Sequence, residues 1–184
     1  MWSASTFKNA YVICPIIFVA IFGHDHVQEY ERIKDRMMDI IFNPGLITLK
    51  QNISSPEQAI ELAGSLLVRQ NICRPEYVSE MVKVYRDFGS AIVIDYGLAM
   101  PHARPEKGAL LTGFSLVTSQ QPIAFGHEEF DPVNVIIAIA GADADNHIKM
   151  IQLIASLIES DIVTFLQQEN DIHSVLHFIQ KQME

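Results

Sequence analysis

The sequence predicts an α/β domain, a three-layer α/β/α sandwich around a mixed central sheet, and three observations carry that expectation. Short runs rich in β-branched and aromatic residues alternate with longer segments of helical periodicity. The run 133–140, VNVIIAIA, is almost wholly apolar, as a strand covered on both faces requires. From residue 46 the element order reads β-α-α-β-β-β-α-α-α, which puts helices on both sides of the sheet.

The elements follow in order. Residues 47–53 read as the first strand. Ser55-Pro56-Glu57-Gln58 is a strong helix start, with a capping serine, proline in the first helical position and glutamine three residues after the cap. That helix carries Ile60, Leu62, Ala63, Leu66 and Leu67 to about Gln70. Pro75 opens a second helix whose apolar face is Tyr77, Val78, Met81, Val82 and Tyr85, with Gly89 placed to end it. Three strand candidates follow at 91–95, 110–118 and 133–140. Three helices at 146–159, 161–168 and 171–183 complete the chain.

Residues 1–45 form an N-terminal appendage of unknown role, and residues 46–184 the main domain. The apolar run 10–23 has 14 residues and contains Pro15, short of the roughly 20 that a membrane-spanning helix needs. No basic cluster precedes it and no small-residue cleavage site follows, so a signal peptide is not expected either. Residues 12–22 read as a buried strand. Val27 to Phe42 reads as a helix, stopped by Asn43-Pro44-Gly45.

Composition narrows the function. Of 184 residues, 13 are Lys or Arg and 22 are Asp or Glu, a formal charge of −9; so acidic a chain is a poor partner for nucleic acid. The acidity is uneven: residues 69–107 carry six basic and five acidic side chains, whereas residues 108–184 carry two and ten. The slightly positive middle is compatible with a site for an anion. Two cysteines, Cys14 and Cys73, exclude a disulfide scaffold and a four-cysteine zinc site and fit a reducing compartment. Neither a phosphate-binding loop nor a dinucleotide-binding glycine motif is present, and nor are a metalloprotease histidine pair and a nucleophile elbow.

Seven histidines remain as candidates. His173 and His177 have metal-pair spacing on a helix but no evident third ligand. His24, His26 and His127 read as loop residues. His102 sits in Gly97-Leu98-Ala99-Met100-Pro101-His102-Ala103-Arg104-Pro105, between two prolines that stiffen the backbone on either side. It should emerge on a rigid loop at a sheet end, although spacing alone leaves a structural histidine open. His147 follows Asp143, Asp145 and Asn146 at the start of a buried helix. A helix N-terminus lowers a histidine pKa and favours an anion such as a phosphoryl group; a histidine tied to the local Asp cap is the alternative.

Taken together, Gly97-Leu98-Ala99-Met100-Pro101-His102, the strand Thr112 to Val117, the stretch Phe125 to Pro132 and Asp145-Asn146-His147 resemble the IIA component of the sugar phosphotransferase system. The resemblance is to the mannitol–fructose–nitrogen type over roughly residues 46–183, with a flavour closest to the ascorbate-specific branch. It implies that His102 is the phosphorylated histidine and His147 its active-site neighbour. Arg86, sixteen residues before His102, stands where mannitol-type members carry an arginine. Arg104, two residues beyond His102, is placed to reach phosphoryl oxygens, and Asn146 marks the helix end that would also face them. The implied donor is the carrier protein HPr, and the implied acceptor is a cysteine of a IIB component, which feeds the membrane IIC component. No cofactor or metal is implied, the location is cytoplasmic, and a homodimer is left open. Two alternatives stand beside transport. One is a phosphorylation-sensing IIA-like domain of a sugar-responsive transcriptional regulator. The other is a non-catalytic interaction module like the anion-exchanger cytoplasmic domains.

Overall fold

The computed structural model describes residues 40–183. The strand expected at 12–22 lies outside them, as do His24, His26 and most of the helix expected to end at Phe42. The final residues of that expected helix are not helical. Ile41 instead forms a parallel bridge with Gly113, its N–H donating to Thr112 O at 2.9 Å. The Phe42 ring stacks on Phe114 at 4.2 Å between centroids.

Five strands and five helices follow: β1 (Ile47–Gln51), α1 (Pro56–Arg69), α2 (Pro75–Phe88), β2 (Val93–Asp95), β3 (Leu98–Ala99), β4 (Gly113–Ile123), β5 (Val133–Ala140), α3 (Ala144–Glu159), α4 (Ile162–Gln168) and α5 (Ile172–Met183). The sheet order is β1-β4-β5-β3-β2. β1 runs parallel to β4 and β3 parallel to β5, while β4–β5 and β2–β3 are antiparallel, so the sheet is mixed as expected.

The structure adds one strand to the expected order. The two residues of β3 are too few to show a period in the sequence. They are fixed by tertiary pairing, Leu98 with Val135 and Ala99 with Ile136, after a turn at Gly97, whose φ is +73°. The strand expected to begin at Leu110 begins at Gly113, because the Leu110 and Leu111 N–H groups both donate to Ile72 O.

Local signals explain the helix ends. Ser55 caps α1 through its hydroxyl, which accepts from Gln58 N–H at 3.2 Å. The Gln58 side chain reaches back one residue further than a capping box requires, accepting from Ser54 N–H. Gly89 closes α2 at φ +60°, a conformation glycine adopts without penalty. Period-two alternation divides β5 between two apolar layers. Ile136, Ala138 and Ala140 pack with Ala63, Tyr77 and Met81 under α1 and α2. Val135, Ile137 and Ile139 are equally buried beneath α3 and α4, while α5 lies against β1.

Candidate functional site

The parallel pair β3–β5 creates the site. Both strands run out at the same end of the sheet, so the loop after Ala99 and the helix after Ala140 meet there. Beyond β3 the chain continues beside β5, with Met100 N–H donating to Ile92 O at 2.7 Å and Ile139 N–H to Pro101 O at 3.2 Å. His102 is therefore presented from a backbone held on both sides. Its Nδ1 lies 2.9 Å from Met100 O. A carbonyl only accepts, so Nδ1 carries the proton and Nε2 keeps a free lone pair.

His147 comes from the first turn of α3. Asp143 caps that helix through Asn146 N–H at 2.8 Å, and His147 N–H donates to Asp143 O at 2.9 Å. Gly141 lets the helix turn back tightly on the strand end, in contact with the His147 backbone. The imidazoles of His102 and His147 lie 5.2 Å apart between centroids, tilted by 48°. His147 is half-buried and its Nδ1 has no hydrogen-bond partner. Burial, with a smaller contribution from His102, holds its pKa below the ordinary imidazole value, so its neutral form is favoured.

The other expected site residues divide. Arg104 is exposed, directly before the short 3-10 turn Pro105–Lys107, two residues from His102 and without an ion pair among the described residues. Asn146 is at the site, but its backbone N–H and one Nδ2–H are engaged. Its backbone N–H and its Nδ2 donate to Asp143, and its Oδ1 accepts from Lys149 Nζ at 2.8 Å. It shapes the helix start.

Arg86 is not brought to the pair. α2 begins beside Ala103 and Ile139, where Tyr77 bonds to both, and ends where the Tyr85 hydroxyl donates to Phe125 O, past the opposite end of the sheet. There Arg86 Nε is 2.7 Å from Glu57 Oε1 in an exposed ion pair. Its separation from His102 in sequence gave no guide to its separation in space.

The remaining histidines lie elsewhere. His127 stacks on Phe130 and accepts two backbone N–H groups at Nδ1. His173 and His177 are exposed on α5, and no cluster of three or more metal-binding side chains occurs among the described residues.

Sequence reasoning did not assign site roles to Tyr77 and Gly141. The available signals were a tyrosine within an otherwise apolar helix face and a glycine between the most apolar strand and an Asp cap.

Comparison with known proteins gives one consistent picture. The family model for the phosphoenolpyruvate-dependent sugar phosphotransferase system, EIIA 2, matches residues 40–182. An ascorbate-specific PTS system EIIA component of Salmonella choleraesuis is 36% identical over 127 residues, covering 68% of this chain and 82% of that one. The solution structure of a cryptic mannitol-specific phosphotransferase enzyme IIA from Escherichia coli superposes with a TM-score of 0.70 at 28% identity, covering 79% of this chain and 99% of that one. A third likeness, of fold alone, is to the complex of mannitol enzyme IIA with phosphorylated mannitol enzyme IIB from Escherichia coli. It has a TM-score of 0.68 at 24% identity, covering 77% of this chain and 99% of that one.

Proposed function

This chain belongs to the EIIA 2 family of the phosphoenolpyruvate-dependent sugar phosphotransferase system, and on that premise we propose that it carries a phosphoryl group on His102 Nε2 between phospho-HPr and a cysteine of a IIB component. The observation that carries the reading is the His102 ring, held through Nδ1 at Met100 O so that Nε2 is left as the nucleophile, lying 5.2 Å from the half-buried ring of His147.

The reaction follows from those two rings. The Nε2 lone pair of His102 attacks phosphorus as the P–N bond of the donor breaks, and the donor imidazole takes the bonding pair. The same exchange then runs with a IIB thiolate as nucleophile: an S–P bond forms and the bond to Nε2 breaks. The transition state is loose, with charge on the peripheral oxygens. His147 meets that charge as a hydrogen-bond donor. Its buried, unpartnered Nδ1 is best left without a proton, which puts the N–H on Nε2. Arg104, two residues from His102 and without an ion pair among the described residues, is a cation that can reach the same oxygens. No nucleotide or metal enters these steps.

The docking face is consistent with protein partners. Ile148 and Ile151 are exposed one and four residues after His147. Leu110 and Leu111 are exposed just before Thr112, whose hydroxyl accepts from Ala142 N–H. Apolar side chains left uncovered beside a reactive group suit transient burial by a donor or acceptor protein. The ascorbate-specific relatives make ascorbate uptake the proposed pathway, with the protein acting in the cytosol. Among the described residues no helix is long and apolar enough to cross a membrane.

The test is incubation with phosphoenolpyruvate, enzyme I and HPr, followed by ascorbate-type IIB. Label should appear on the wild type, be absent from His102→Ala and chase onto the IIB cysteine. Label retained by His102→Ala would refute the site. A labelled protein that donates to no IIB would replace transport with the regulatory reading.

A further inference from the structure

Among the described residues, the Tyr77 hydroxyl is the one side-chain group hydrogen-bonded to both backbone segments holding the histidines. Tyr77 is fully buried, and its hydroxyl lies 2.8 Å from Ala103 O and 3.2 Å from Ile139 O. It also accepts from Ala103 N–H at 3.2 Å. Ala103 directly follows His102. Ile139 lies two residues before Gly141, on which the His147 backbone rests. Burial pushes the Tyr77 phenol up to about 12, so at neutral pH it keeps the proton it donates.

We propose that Tyr77 is a positioning residue for phosphoryl transfer, fixing His102 as the Nδ1–H tautomer and setting its distance from His147. This rests on His102 being the phosphoryl acceptor. The physical argument is one of over-determination. Pro101, before His102, is bonded to Ile139 N–H. Ala103, after it, is held only through Tyr77 among the side-chain hydrogen bonds of the described residues. Without the hydroxyl, the loop keeps its upstream anchor and loses its downstream one. The Nδ1–Met100 contact then competes with other ring orientations. A displacement of about 1 Å in a reacting group costs on the order of a hundredfold in rate.

Three variants test this in the full chain. Tyr77→Phe removes the hydroxyl. Tyr85→Phe removes a comparable helix hydroxyl, bonded to Phe125 O at the far end of the sheet. A third carries 3-fluorotyrosine at position 77, which keeps the ring and hydroxyl while altering the strength of its hydrogen bonds. Two quantities are measured: the His102 tautomer ratio by nitrogen-15 NMR of the unphosphorylated protein, and kcat and KM for phospho-HPr. Tyr77→Phe should lower kcat about ten- to a hundredfold, leave KM for phospho-HPr within about twofold, and convert a single His102 tautomer into a mixture. Tyr85→Phe should change neither quantity. Should Tyr77→Phe fail to fold, the fluorinated protein should still shift the tautomer ratio.

Unchanged kcat and tautomer in a folded Tyr77→Phe, an equal loss in Tyr85→Phe, or an unchanged ratio in the fluorinated protein would overturn the proposal. Failure of the wild type to accept phosphate would instead remove the carrier reading. The tautomer measurement needs no phosphate and separates the two failures.

Discussion

Gly141 and His147 meet backbone against backbone: a methyl group built on Gly141 would lie 2.6 Å from both the N and the Cα of His147. No side-chain rotation relieves such a contact, because the atoms met are main chain.

Gly141→Ala should therefore push the start of α3 away from the strand end and carry His147 with it. Overpacking of this kind costs about 1–3 kcal/mol, and His147 moves relative to His102. The variant should unfold at lower denaturant concentration and transfer phosphate more slowly. At Gly126 the penalty would be conformational instead, because its Cβ would meet nothing within 4 Å but its φ is +86°. Denaturant titration beside transfer kinetics for Gly141→Ala checks both effects.

His147 gives a prediction about pH. Burial and the neighbouring His102 hold it below the ordinary imidazole value of 6.5. The unfolded chain, with an ordinary value, binds more protons between the two. The stability from neutral His147 is complete above about pH 6.5 and is lost as pH falls from there towards the folded value. Titration of the His147 ring by NMR should give a pKa below that of a denatured control. In His147→Gln the acid-side slope of stability should flatten. Transfer by His147→Ala should fall about a hundredfold or more, as for loss of one donor to a developing charge, with the fold retained.

The two arginines should behave differently. Arg86 is paired with Glu57 away from the histidines, so Arg86→Ala should leave the transfer rate at the wild-type level. Arg104 is exposed two residues from His102 with no carboxylate partner among the described residues, so Arg104→Ala should slow transfer several-fold, with a larger effect at low salt. Rates for both variants at two ionic strengths decide the matter. Equal losses would return Arg86 to the site.

What the sequence showed, and what it hid, has a physical pattern. Long periodic elements were legible because many residues vote for each. Ser55 and Pro56 marked α1, and the apolar run of β5 marked a doubly covered strand. The stiff loop at His102 and the helix start at His147 were legible from two prolines and an Asp cap, whereas the roles expected of the two histidines came only from the family resemblance. β3 was not legible, since its two residues are strand only through the partners they pair with. The placing of Arg86 was hidden for a related reason: α2 runs along the strands, so nine residues of that helix separate Tyr77 at one end of the sheet from Arg86 at the other. The engagement of Asn146 by Asp143 is a matter of side-chain geometry that residue identity does not convey.

The most direct test of the central claim is phosphorus and nitrogen-15 NMR of the protein after incubation with phosphoenolpyruvate, enzyme I and HPr. A single phosphohistidine at His102, with phosphorus on Nε2 and the proton kept on Nδ1, is the result this account predicts. Phosphorus on His147, on Nδ1 of His102, or on any residue of the His102→Ala protein would contradict it.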